Sequence, residues 1–170
     1  MSRAFVTESE TDAAAEISPE LPQSPHPNYV TPHGLHLLEE RLADAQRRQA
    51  DLAATPDDPV TQLALAAVGR EIRYLEARLE RAQLVDPAQH PDDEITFGAV
   101  VDVRDPEGGH RRVAIVGEDE ADAEQGKVSW VSPLARALIG AGVGDIVLWQ
   151  RPAGTIELEV ETIRYPDREN

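Results

Sequence analysis

At 170 residues the chain has room for one or two small domains. With 41% hydrophobic but only 4% aromatic residues, its core must be mostly aliphatic, and with no cysteine it can build neither a disulfide framework nor a thiolate metal site. The formal net charge of -16 disfavours free nucleic acid, whose binding needs Lys and Arg to neutralise phosphates.

That charge is uneven. Residues 33–84 carry seven arginines against nine acids, whereas residues 85–170 carry eight basic against eighteen acidic side chains. A near-neutral, Arg-bearing middle between acidic flanks fits a protein partner better than naked DNA. No apolar run approaches the ~20 residues that cross a bilayer. The N-terminus has no basic stretch followed by an apolar one, so no signal peptide is expected. These features predict a soluble, cytoplasmic protein with no membrane association.

Residues 1–28 are acidic and proline-rich, with Pro19, Pro22, Pro25 and Pro27 in quick succession. Such a segment buries too little apolar area to offset its ordering entropy and is expected to be a disordered tail. Thr31 followed by Pro32 reads as a helix start, a hydroxyl N-cap with proline in the first turn. Leu35, Leu38, Leu42, Ala45, Gln49 and Leu52 then recur at spacings of three and four, a heptad seam. It must end near Ala54, because Pro56 and Pro59 cannot sit in a helix interior. Leu65, Val68, Ile72, Leu75, Leu79 and Ala82 form a second seam, which stops before Pro87. Two seams of similar length joined by a short turn predict an antiparallel helical hairpin over residues 29–86.

Residues 87–94 read as a linker rich in Pro and Asp. Beyond it the periodicity is that of strands: Phe97 to Val103, a turn at Asp105 to Gly109, and a return strand from Arg111 to Val116. Lys127 to Val131 is a third strand, and Pro133 to Ile139 is a short helix ended by Gly140. Ile146 to Gln150 and Thr155 to Tyr165 supply two more strands. The predicted class is therefore α+β, a helical hairpin followed by a sheet domain over residues 95–166 with one short helix.

Several segments, taken in order, resemble the GreA/GreB family of bacterial transcription elongation factors. They are Thr31-Pro-His-Gly-Leu35, Ile115-Val-Gly-Glu-Asp-Glu-Ala-Asp122, Ser132-Pro-Leu-Ala-Arg-Ala-Leu-Ile-Gly140, Val143-Gly-Asp145, Pro152-Ala-Gly154 and Ile163-Arg-Tyr165. The Ser-Arg-Ala-Phe opening is closer to GreB-like members. The resemblance implies an N-terminal coiled coil and a C-terminal FKBP-like antiparallel sheet domain. It also implies a monomeric accessory factor to RNA polymerase rather than an enzyme in its own right, meeting nascent RNA or DNA only within the polymerase complex. Family members grip the rim of the polymerase secondary channel with the globular domain, and the coiled coil carries acidic residues to the active-site Mg²⁺. A carboxylate pair suits that role, because oxygen ligands hold Mg²⁺ and two metals stabilise phosphodiester hydrolysis.

The family's tip motif, Asp-x-x-Glu-Asn-Ala-Glu, is missing. Asp51 has Ala54 where the Glu should stand, and the arms are about one heptad shorter than the family's, a loss of ~10 Å of reach. Asp57 and Asp58 on the turn are the candidate metal ligands, toward an Mg²⁺ shared with the polymerase rather than a cofactor of the chain's own; they also suit a plain turn. Ser132, Pro133, Leu134 and Arg136 match the polymerase-binding segment. Arg47, Arg48, Arg70 and Arg73 are candidates for RNA or channel contact, or for a solvated face laced by pairs such as Asp44–Arg48. Glu118, Asp119, Glu120 and Asp122 read as an acidic loop, solvated or touching the polymerase.

Four readings are expected. One is a secondary-channel factor that regulates elongation by stimulating cleavage of backtracked RNA. Another is a channel-binding modulator or inhibitor without cleavage, as in Rnk-like regulators. A peptidyl-prolyl isomerase by fold analogy and a coiled-coil adaptor stand further off, the former because the domain offers only Phe97, Trp130, Trp149 and Tyr165 as aromatic lining.

Overall fold

A computed structural model describes residues 19–55, 57–86 and 89–166. The chain enters through β1 (Asn28–Val30) and passes into α1 (Pro32–Ala53), α2 (Pro59–Glu80) and β2 (Ala82–Leu84). Thr31 starts α1 as predicted: its hydroxyl accepts from the Gly34 N–H at 2.9 Å, and Pro32 occupies the first turn. The two helices are 22 residues each, or ~33 Å long at ~1.5 Å per residue. They pack along the predicted seam, where Leu38, Ala45 and Leu75 are fully buried beside Val68 and Ile72. Gln49 is exposed, so the seam is thin toward the tip.

The second seam was expected to run to Ala82. Instead α2 stops at Glu80, and Ala82–Leu84 pairs in parallel with Asn28–Val30. This two-stranded ribbon closes the hairpin base and carries Val30 into its core. It also bears on the last part of the expected disordered tail, residues 19–28. Residues 1–18 lie outside the described residues, but residues 20–28 run along α2, held by hydrogen bonds to Arg73, the Tyr74 carbonyl and the Arg78 carbonyl. Proline suits such an extended segment, because it fixes φ and needs no ladder partner.

The second body is a five-stranded sheet of order β5-β4-β3-β7-β6, made of β3 (Val100–Arg104), β4 (His110–Val116), β5 (Lys127–Ser129), β6 (Ile146–Arg151) and β7 (Gly154–Arg164). All pairs are antiparallel except β4–β5. The expected wholly antiparallel sheet is thus mixed. Residues 117–126, including a 3-10 turn at Ala123–Gln125, carry the chain back alongside β4, so β5 runs in the same direction. Alternation places Val101, Val103, Val113, Ile115, Leu158 and Val160 on one buried face. The short helix α3 (Pro133–Leu138) covers that face with Leu134, Ala135 and Leu138.

The two bodies meet at an aromatic joint. Tyr29 on β1 packs against Trp130 at 5.0 Å and Phe97 at 6.0 Å, and His26 meets Trp130 edge-on at 6.0 Å. Gly117 sits under β1, where a Cβ would come within 2.5 Å of the Tyr29 carbonyl oxygen. Only glycine permits that approach.

Candidate functional site

At the tip, Asp58 is the N-cap of α2. Its carboxylate accepts from the Thr61 N–H and hydroxyl, both at 3.2 Å. This is the helix-start chemistry that Asp before Pro favours. Asp57 beside it is exposed. Among the described residues no group of three His, Cys, Asp or Glu side chains is placed to hold a metal ion. The turn thus presents one exposed carboxylate beside one engaged as a helix cap.

The four candidate arginines are mostly paired. Arg47 and Arg48 bond Asp44, each at 3.1 Å, and Arg48 crosses to Glu71 on α2 at 2.9 Å. Hydrogen bonds from Arg47 and then Arg48 hold the Asp44 carboxyl below its usual range. Arg73 grips Glu20 with contacts of 2.6 and 3.1 Å, and its hydrogen bonds pull the Glu20 carboxyl down, with Arg70 adding a weaker attraction. Arg47, Arg48 and Arg73 therefore belong to a surface laced by ion pairs.

In the globular domain, the Ser132 hydroxyl accepts from the Ala135 N–H at 3.2 Å and starts α3, with Pro133 in its first turn. Leu134 is 5% exposed and belongs to the core, whereas Arg136 is exposed. Leu134 thus supports this segment from beneath, and Ser132 and Pro133 face an open cleft of about 960 Å³. Across the cleft stands Trp149, with the guanidinium groups of Arg111 and Arg151 at 5.2 and 5.3 Å from its ring centre. Cations over an indole face are attracted by its quadrupole, so the cleft offers one aromatic surface framed by positive charge. Phe97 and Trp130 are committed to the joint, and Tyr165 bonds the Glu94 carbonyl. An isomerase-like aromatic lining is therefore not assembled here.

The acidic loop is where the structure departs furthest from expectation. Glu118, Asp119 and Glu120 are drawn in to clamp the hairpin base, whereas Asp122 caps the 3-10 turn. Arg78 of α2 is 1% exposed. Its Nε donates to Asp119 at 2.7 Å, and its Nη2 donates to Asn28 Oδ1 at 2.5 Å and lies 3.7 Å from Glu118. Glu120 accepts from the Thr31 hydroxyl at 2.5 Å and lies 3.8 Å from Lys127. Glu118 accepts from Ser24 at 2.9 Å, and Tyr74 donates to Asp119 at 3.3 Å. Burial raises the Tyr74 pKa, and the Asp119 charge reinforces it. A Cβ on Gly34 would lie 2.7 Å from Glu120 Oε2, so a side chain there would push the Glu120 carboxylate away from Thr31. Arg78 and Asn28 were not legible as functional residues. The available signal was an Arg late in α2, four residues after Tyr74, together with an acidic loop whose nearest basic neighbour in sequence is Lys127.

Comparison with known proteins identifies the family. The family model for transcription elongation factor GreA/GreB, C-terminal domain, matches residues 90–165. The chain is 35% identical to transcription elongation factor GreB of Neisseria meningitidis serogroup B over 153 residues, covering 81% of this chain and 94% of that protein. It is 40% identical to GreA of Alkalilimnicola ehrlichii over 128 residues, covering 74% and 80%. Among solved structures, GreA factor homolog 1 of Thermus thermophilus is 27% identical over 82% of this chain and 99% of its own, with a TM-score of 0.40. On the strength of its relatives, the chain belongs to the GreA/GreB family of transcription elongation factors.

Proposed function

We propose that the chain binds RNA polymerase at its secondary channel, with the globular domain gripping the channel rim and the hairpin entering as an arm. The observation that carries this reading is the Arg78 clamp. A charge only 1% exposed and bonded to both bodies fixes the arm relative to the cleft at Ser132 and Pro133. An arm that must deliver its tip to a set depth needs such a fixed base, because a small misplacement removes catalytic contact. The Arg111–Trp149–Arg151 surface gives the cleft a chemistry that suits an acidic, partly apolar segment of the polymerase. Arg47, Arg48 and Arg70 on the arm would face the channel wall or RNA by exchanging their present carboxylate partners for phosphates.

At the tip, Asp57 and Asp58 are the carboxylates offered toward the polymerase's own Mg²⁺. Because Asp58 caps α2, the reading favoured here is a channel-occupying modulator of elongation. Stimulated cleavage of backtracked RNA is the second reading, kept by the exposed carboxylate of Asp57. The decisive assay is transcript cleavage in a backtracked RNA polymerase complex, with wild type, Asp57→Asn and Asp58→Asn. Asparagine also caps helices, so the tip stays folded in the second variant. The modulator reading expects competition with a cleaving Gre factor and no cleavage by wild type. Cleavage by wild type that is lost in Asp57→Asn would establish the second reading. Absence of competition would remove both.

A further inference from the structure

The five-stranded sheet has two edges, and they are built differently. β5 is three residues long, and its Lys127 lies 3.8 Å from Glu120. Short strands and charged side chains are how a sheet keeps an edge from pairing with another chain. β6 has neither defence. Ile146-Val-Leu-Trp-Gln-Arg151 is six residues long, apolar over its first four positions and free of proline.

Half of its backbone groups are in use. The Val160 N–H donates to the Asp145 carbonyl at 2.9 Å, and the register with β7 runs unbroken from Ile146–Glu159 to Arg151–Gly154. Engagement alternates along an antiparallel ladder, so Val147, Trp149 and Arg151 turn their N–H and C=O groups to β7. Those of Ile146, Leu148 and Gln150 point to the open side and meet no hydrogen-bond partner among the described residues. The side chains of the same three residues share the outer face of the sheet. Ile146 is 64% exposed and Leu148 59%, and Val143 in the preceding turn is 62% exposed. An open ladder edge beside bare aliphatic side chains is a template for one more strand.

The strand that fits is β6 itself. A second copy laid antiparallel, with the two-fold axis at Leu148, sets Leu148 opposite Leu148 and Ile146 opposite Gln150, and each open N–H meets a C=O. The exposed Asp145 then stands opposite Arg151 of the second copy, twice per dimer. Arg151 is available for this, because its Nε bonds only the Gly154 carbonyl at 3.4 Å and no carboxylate pairs with it among the described residues. Opposite charges facing each other across strands stabilise the pair. Other registers lose these gains. An axis at Gln150 puts Leu148 opposite Pro152, which has no N–H to give, and an axis at Ile146 puts Leu148 opposite Gly144 and separates Asp145 from Arg151. Because β5 is so short, no second edge of equal length supports head-to-tail growth, and the pairing closes at two copies. Six residues a side is small beside the ~20–30 of a standard interface, so the association is weak and depends on concentration.

We propose that β6 pairs with β6 of a second copy, antiparallel about Leu148, to give a weak dimer with one sheet continuous across both copies. The monomer that the family resemblance implies is then the dilute form.

Sedimentation of the full chain between about 10 µM and 1 mM tests it, the range expected of a small interface. The mass should rise from one copy to two and no further. Leu148→Lys places like charges at the axis and should weaken association by about tenfold or more. Its thermal unfolding should match the wild type, because the side chain is exposed. The chain has no cysteine, so Leu148→Cys gives an independent reading. Facing Cα atoms in a hydrogen-bonded pair are ~5.5 Å apart, within disulfide reach, and mild oxidation should link two copies. Glu157→Cys, one strand further in on β7, should not link. A chain that stays single up to 1 mM, or a dimer indifferent to Leu148→Lys, overturns the proposal. So does equal cross-linking of the two cysteine variants. Protection of the Ile146, Leu148 and Gln150 amides that arises only when polymerase is added also overturns it, and assigns the edge to a strand of that partner.

Discussion

Asp102 shows how a single residue can link three strands. On the outer sheet face it accepts from Arg112 of β4 at 2.7 Å, from Thr162 of β7 at 2.8 Å and from Arg164 at 3.1 Å. The ladder between β3 and β7 shifts register at this point, so side chains take over pairing where the backbone is irregular. The Arg112 hydrogen bond, followed by Thr162 and the Arg164 charge, lowers the Asp102 pKa to about 2 from 3.8. A depressed folded-state pKa means stability that is complete above the unfolded value and lost as pH falls. Asp102→Asn should therefore lower stability at neutral pH and flatten the change in stability between about pH 4 and 2. Urea midpoints across that range check it, and an unchanged acid limb would sink the assignment. None of this was legible in the sequence, because the partners lie 10, 60 and 62 positions away.

Among the elements, the hairpin was the most legible. Seam periodicity, Thr31 with Pro32, and the prolines at 56 and 59 set α1 to within a residue of its observed ends, whereas α2 starts at Pro59, ahead of its seam, and stops two residues short of Ala82. Local rules act there over one turn, which a sequence displays directly. Leu75 is fully buried in the seam. Leu75→Ala should destabilise the hairpin by ~2–5 kcal/mol through lost burial and the cavity left behind, read by chemical unfolding. A cost under ~1 kcal/mol would mean that the seam repacks. The strands of the globular domain were also placed, but the direction of β5 was not. It depends on where residues 117–126 lead the chain, and no periodicity encodes that path. The ribbon of β1 and β2 escaped notice because three-residue strands carry too little pattern.

On the scale of the whole molecule, the base clamp joins arm to globular domain. Arg78→Ala would leave Asp119 and Glu118 without their buried cation, and breaking such a pair costs ~3–5 kcal/mol. Arg78→Met, which keeps the aliphatic stem, should recover packing but not the fixed geometry. The check is a distance distribution between labels on the tip and on β6, narrow in the wild type and broad in both variants. A distribution that stays narrow in Arg78→Met would show that the aromatic joint alone sets the arm. Polymerase affinity measured on the same variants connects this geometry to the proposed function.

The sequence by itself determined the helical hairpin, the α+β class and the family, because heptads, caps and ordered motifs are local and survive in one dimension. It also exposed the missing tip motif and nominated Asp57 and Asp58. Only the tertiary structure decided that Asp58 caps a helix, that Leu134 is core, that three of the four candidate arginines are already paired, and that the acidic loop holds the arm. Each of those depends on which charge finds which partner. Such pairing spans 41 residues between Arg78 and Asp119 and 89 between Thr31 and Glu120. Electrostatic and hydrogen-bond partners at that separation are chosen by packing of the two bodies, so they exist only once the chain has folded.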